Sequence, residues 1–397
     1  MTETMTRAPA SRPWLGLGAV IASITTVSVM QSAVAPLLSL NLERQGVNSS
    51  WNGLLAAMPA LATLVFGAAT PGIIRRLGAV TTIYAGAGIG LMALLLFPVL
   101  DQLPAWFVLR FTMGVGIGVV WVVSEAWVNA LAPEKNRGTV MGAYVSVLCI
   151  GFSTGPALLG LVGSAGPMPF VASAVMLMAA LLPIPFASGS GGAPSFHKRT
   201  ALPLAGAMRH APTIMFAALL NGSIWAIQSA LLPVYGMRAG LPEDHALFLL
   251  TAYVFGNIVL QLPIGNLLDR WSGEGVLLLC GSIQCIGAIA LPFVVHDGPI
   301  TWLFLILWGG FLGGLYTTEM TMLGRIFEVE ELSGASAAFS MAFSLGALFG
   351  PIVAGAAMQI WNPYGMLVVI GCAGAGVTLT AVRLVHAKPL SSDQHCT

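Results

Sequence analysis

Charge is what this sequence has least of. Lysine, arginine, aspartate and glutamate make up 8% of its 397 residues, against roughly 25% in a soluble domain. So few charges cannot cover a globular surface in water, so lipid must be the solvent for most of the chain. The net charge of +1 gives no global field toward nucleic acid. Cysteine is scarce too. Cys149, Cys280, Cys285, Cys372 and Cys396 form no CxxC or metal-spaced pair, which excludes a disulfide framework. His197, His210, His245, His296, His386 and His395 all fall in expected loops or at helix ends. A buried histidine relay and an HExxH zinc site are therefore excluded. No GxxxxGK[ST] loop is present, which argues against nucleotide hydrolysis. Gly86, Gly88 and Gly90 alternate within an apolar run and read as helix-packing positions. No cofactor or metal is implied, and the chain is not expected to be an enzyme.

What is abundant is apolar: 57% of residues are hydrophobic and the mean hydropathy is +0.87. A helix needs about 20 such residues to cross the hydrocarbon layer, and helices are the choice because backbone groups in lipid must be satisfied internally. The first run, 14–40, exceeds a signal-peptide core of roughly 7–15 residues and reads as a retained span. Further spans are expected at 52–74, 79–100, 104–132, 138–162 and 167–187, then at 211–236, 245–268, 275–295, 299–327, 333–358 and 363–386.

Between the two sets lies a Gly/Ser-rich stretch, Ser188 to His210, with the composition of a flexible linker. The chain thus divides into a six-helix bundle over 1–187, a cytoplasmic linker over 188–210 and a second six-helix bundle over 211–397. With the N-terminus inside, every lysine and arginine except Arg44, Arg110 and Arg238 falls on the inner side. That bias places both termini in the cytoplasm. The halves repeat one another. Gly151, Gly155 and Pro156 belong to a GxxxGPxxxG string in the fifth span, and Gly346, Gly350 and Pro351 to the same string in the eleventh. Ser124-Glu125 in the fourth span matches Thr318-Glu319 in the tenth. Such repeats mark transporters whose solute site lies between the halves near the midplane.

Several segments resemble one family. Gly265-Asn-Leu-Leu-Asp269-Arg270-Trp-Ser-Gly273 is similar to the GxLxDRxG loop of the major facilitator superfamily, and Arg110-Phe-Thr-Met-Gly114-Val-Gly116-Ile-Gly118 to its RxxxGxGxG helix. Ser124-Glu125-Ala-Trp127-Val-Asn129 with Tyr316-Thr-Thr-Glu319 resembles its YcaD-like branch. The resemblance implies an all-α membrane fold of twelve helices in two pseudo-symmetric six-helix bundles, and a central cavity lined by the first, fourth, seventh and tenth spans. It also implies a gate in which Asp269 and Arg270 approach Arg137 and Gly138 at the start of the fifth span. One departure stands out. Pro71 or Gly72 occupies the place of the loop carboxylate in the first half, leaving Arg75 and Arg76 without it.

Three charged residues lie inside spans: Arg110, Glu125 and Glu319. Each costs about 2.5–3.5 kcal/mol or more at a helix centre, so each is a functional candidate. Glu125 and Glu319 read either as proton sites, since a desolvated carboxyl can hold a proton at neutral pH, or as inner-gate salt bridges to Arg75/Arg76 and Arg270. Arg110 reads first as a hydrogen-bonding partner of neighbouring helix backbone, with proton coupling or an anionic solute as alternatives. Helical spacing adds cavity candidates on the four lining spans: Ser28 and Gln31; Trp121 and Asn129 beside Glu125; Asn221, Trp225 and Gln228; and Tyr316 beside Glu319.

Such a wall suits a small, amphipathic organic solute. The expected function is secondary active transport of that solute across a bacterial inner membrane by alternating access. Proton-coupled export is favoured, because the GxxxGP helices resemble those of antiporters. Proton-coupled uptake of a metabolite or siderophore-like ligand is the alternative, and a transporter-shaped sensor or scaffold is a reading of another class. The expected partners are the solute, protons and the lipid bilayer, with no nucleic acid, and the chain is expected to act as a monomer.

Overall fold

The apolar runs fold as helices close to where their composition places them. The computed structural model describes residues 13–100, 102–131, 137–188, 204–296, 298–327 and 332–387. These form α1 (Pro13–Arg44), α2 (Ser49–Phe66), α3 (Thr70–Leu77), α4 (Ala79–Leu96), α5 (Leu103–Leu131), α6 (Arg137–Val162), α7 (Met168–Leu181), α8 (Ile184–Ser188) and α9 (Leu204–His210). The second half continues with α10 (Pro212–Arg238), α11 (Glu243–Arg270), α12 (Gly273–Val294), α13 (Pro299–Ile326), α14 (Leu332–Ile360) and α15 (Gly365–Ala387). No strand occurs among the described residues. Eleven of these helices have the length and hydropathy of membrane spans, and the apolar part of α6, Ser146–Val162, supplies the twelfth.

Three boundaries differ from expectation. The second span breaks at Gly67–Ala69 into a 3-10 turn before α3. Pro71 lies in the first turn of α3, where its missing N–H costs nothing. Gly78, at φ 81°, then turns the chain into α4 in a left-handed conformation that suits glycine. The sixth span ends at Leu181, and Pro183 separates it from the short α8. By contrast α1 runs past its apolar stretch to Arg44. Its polar last turn is held because the Asn41 amide donates to the Leu37 and Ser164 carbonyls at 2.8 and 3.1 Å. Residues 189–203 of the expected linker lie outside the described residues.

The packing repeats the sequence repeat. In the first half α6 lies on α1, α5 on α4 and α2, and α7 on α1 and α4. In the second half α14 lies on α10, α13 on α12 and α11, and α15 on α10 and α12. Across the halves α2 meets α14 and α6 meets α11, again a reciprocal pair. Glycine makes these approaches possible. A Cβ on Gly155 would stand 2.4 Å from the Val29 carbonyl oxygen of α1, and one on Gly346 would stand 1.7 Å from the Leu219 oxygen of α10. A Cβ on Gly53 of α2 would stand 2.0 Å from the Pro351 oxygen of α14. Gly86 and Gly90 approach α5 as expected of packing positions, while Gly88 faces open space. The outer surface exposes large apolar side chains such as Leu161, Leu182, Leu262, Phe293 and Ile360, as suits a surface solvated by lipid.

Candidate functional site

The most buried acidic group among the described residues is on α13. Glu319 is fully buried between α13 and α10. The Asn221 side-chain amide donates to its Oε2 at 2.9 Å, and its Oε1 has no partner. Arg270 is exposed at the end of α11, and neither it nor Asp269 makes an ion pair among the described residues. The expected salt bridge from Glu319 to Arg270 is therefore not made. Thr318, beside it, turns its hydroxyl back onto the Gly314 carbonyl at 2.7 Å. The side chains of Arg75, Glu125, Asn129, Arg137 and Gly138 lie outside the described residues, whereas Arg76 is described and exposed.

The expected stripes divide. On α13 Glu319 is inside the bundle while Tyr316 is exposed, its ring edge-on to Phe339 and Phe343 of α14. One helical turn step of three residues rotates a side chain by about 60° from its neighbour's direction, which is enough to separate the two at a bundle surface. On α10 Asn221 and Gln228 are buried and Trp225 is half-buried. Ser28 is fully buried, donates to the Ile24 carbonyl at 2.8 Å and packs against Gly151 at the α1–α6 contact.

Gln31, Arg110 and Trp121 come together. With Pro59, Thr63 and Met113 they line a small cavity of about 150 Å³ between α1, α2 and α5. Arg110 is 5% exposed, and its contact of 3.8 Å to the Met113 sulfur is a weak one. Among the described residues it makes no hydrogen bond to helix backbone. The Oε1 of Gln31 is buried without a partner. From Trp121 an aromatic row continues to Phe152 of α6 at 5.8 Å and on to Trp225 of α10 at 5.6 Å. The row crosses from one half to the other. Phe152 escaped the sequence reading because a phenylalanine in an apolar span carries no polar signal.

Ser153, next to it, is centred in a Gly151-Phe-Ser-Thr-Gly155 string that matches the spacing of a hydrolase nucleophile elbow. Here the string lies inside one continuous helix, and the Ser153 hydroxyl donates to the Thr251 carbonyl of α11 at 3.2 Å. It is a bond between the halves and lacks the strand-to-helix turn that an elbow requires.

The end of the molecule that carries Arg44 is closed by ions. Arg238 of α10 donates from Nε and Nη2 to the two carboxylate oxygens of Glu43 of α1, each at 2.7 Å, and from Nη1 to Asn362 Oδ1 at 3.0 Å. Arg44 bonds Glu243 at the start of α11, and Ser164 bonds both. The two cations that the charge bias left on the outer side are thus the two that join the halves. Lone loop charges gave no sign of this in the sequence, since the partners are far apart along the chain.

The family model for the major facilitator superfamily matches residues 15–251 and 215–394. The uncharacterized MFS-type transporter YfkF of Bacillus subtilis is 26% identical over 376 residues, covering 91% of this chain and 92% of that one. The uncharacterized MFS-type transporter YcaD of Escherichia fergusonii is 24% identical over 320 residues, covering 80% and 82%. Among solved structures, the nucleoside transporter NupG superposes with a TM-score of 0.73 at 14% identity, covering 94% of this chain and 98% of that one. A bacterial homologue of the lysosomal transporter Spinster, in an inward-facing and unoccupied conformation, gives 0.71 at 12% identity, covering 95% and 96%. The relatives and structural neighbours are transporters and not enzymes, and this chain belongs to the major facilitator superfamily.

Proposed function

We propose that this chain is a proton-coupled secondary transporter of the bacterial inner membrane that moves a small amphipathic organic solute by alternating access, with export in exchange for protons. Its two units are residues 1–187 and 211–397, and it works as a monomer with both termini in the cytoplasm. The observation that carries the reading is Glu319: a carboxyl within a membrane span, fully buried, with one oxygen held by Asn221 and the other unpartnered. A carboxylate in that position lacks a counter-ion among the described residues, and burying an unpaired charge is costly. A proton removes the charge. Coupling then requires only that proton and solute bias the same conformational equilibrium. Glu125, at the repeat-related position on α5, is the second proton site in this reading.

The solute lies between the halves, along Trp121, Phe152 and Trp225. The ions at the Arg44 end hold that side shut, so the pathway opens toward the termini. Asp269 and Arg270 serve the opposite state, when the inner side closes.

The test is Glu319→Gln in proteoliposomes. It keeps the size and mimics the protonated form. Proton-driven accumulation is expected to vanish while solute exchange at equal concentrations persists. Full gradient-driven transport in Glu319→Gln, Glu125→Gln and the double variant would remove the coupling role.

A further inference from the structure

Arg110 is a buried cation with no acid beside it among the described residues. It is 5% exposed, no carboxylate reaches it among the described residues, and the Met113 sulfur is a poor substitute. Isolated buried cations are costly and ordinarily paired. This one borders a cavity of about 150 Å³. The volume is well below the roughly 300–1,000 Å³ of a whole ligand pocket, but it is of the size of a ligand's polar head. The lining also offers the Oε1 of Gln31, an acceptor with no donor among the described residues. Trp121 forms a further wall and is also the first ring of the row that leads through Phe152 to Trp225.

From this geometry we infer that the solute is an aryl or alkyl carboxylate whose acid group enters this cavity and pairs with Arg110. Its apolar body then lies along Trp121 and Phe152. A guanidinium matches a carboxylate with two parallel hydrogen bonds, and such charge-assisted pairs are the strong ones. Gln31 favours a solute with a hydrogen-bond donor near its acid group. The inference deepens the transport reading and rests on it.

Binding is measured on purified protein, without transport, using 2-naphthoate as the probe and 2-naphthamide as its uncharged counterpart. The acid is expected to raise the thermal midpoint of the wild type and the amide to leave it unchanged. Arg110→Lys keeps the charge but loses the paired hydrogen bonds, so it weakens the response to a smaller extent than loss of the charge does. Arg110→Met, which retains the apolar stem, weakens naphthoate binding by about tenfold or more. Because Arg110→Met also removes an unpaired buried charge, its ligand-free midpoint stays at or above that of the wild type. A purely structural arginine would lower it, and a lowered midpoint overturns the inference. So does an equal response to acid and amide, or undiminished naphthoate binding by Arg110→Met. Trp121→Leu gives an independent reading, since it too must weaken naphthoate binding while leaving Arg110 in place; unchanged affinity counts against the inference. Glu319→Gln separates the two claims. It is expected to keep the preference for naphthoate over naphthamide while its affinity shifts with the fixed protonated form, and if its gradient-driven transport is normal, the coupling reading alone falls.

Discussion

At the scale of single residues, burial and partner decide the roles, and the sequence shows only which residues are candidates. Arg110 and Glu319 were legible because a charge inside an apolar run is rare in any sequence. Their partners were not, because Asn221 lies 98 positions from Glu319 and only the packing of α10 on α13 brings them together. The bond gives a prediction. Asn221→Ala removes the one donor to Oε2 among the described residues and leaves a buried acceptor unsatisfied, so it should cost about 1–3 kcal/mol of stability. Thermal unfolding in detergent measures it, and a midpoint equal to that of the wild type would contradict the assigned bond. Ser28 shows what spacing alone does not convey. Its spacing relative to Gln31 put it on a polar stripe, but the small residue of the pair is drawn to the glycine of the facing helix, and the amide is left near the cavity.

At the scale of elements, most of the fold was readable. Each span is longer than the apolar runs of soluble proteins, so twelve helices followed from hydropathy. The breaks at Gly67–Ala69 and Pro183 were missed because their residues are themselves apolar or small and do not interrupt the hydropathy. The GxxxGP strings were legible as a repeat, and the structure shows what the glycines do: they bring α6 onto α1 and α14 onto α10. Glycine substitutions should therefore differ by facing surface. A Cβ on Gly346 would meet the Leu219 carbonyl oxygen at 1.7 Å, so Gly346→Ala forces backbone to move and should cost about 1–3 kcal/mol. Gly88 meets nothing within 4 Å. Gly88→Ala should be neutral or stabilise the helix by up to about 1 kcal/mol. Comparing the two thermal midpoints tests the packing assignment, which fails if both variants respond alike.

At the scale of the whole molecule, the reciprocal contacts of α2 with α14 and α6 with α11 give two units joined at one end by two salt bridges. The described bonds between the halves lie at mid-depth or toward that end. Charge bias gives an expected orientation, but closure at the Arg44 end could not be read, since it depends on which loops meet. Alternating access requires that the two ends move in opposite senses, and this is the central claim. It can be measured without knowing the solute, by electron–electron distance measurements on two spin-labelled pairs in a background free of native cysteines. One pair, Gln45 and Gln359, reports the Arg44 end; the other, Leu77 and Trp271, reports the opposite end, and all four positions are exposed. Arg238→Glu breaks the grip on Glu43 and places two like charges together. In that variant the first pair should gain a longer distance while the second gains a shorter one, in matching proportion. If the first pair lengthens and the second stays as it is in the wild type, the halves do not rock against each other and the account of transport by alternating access is contradicted.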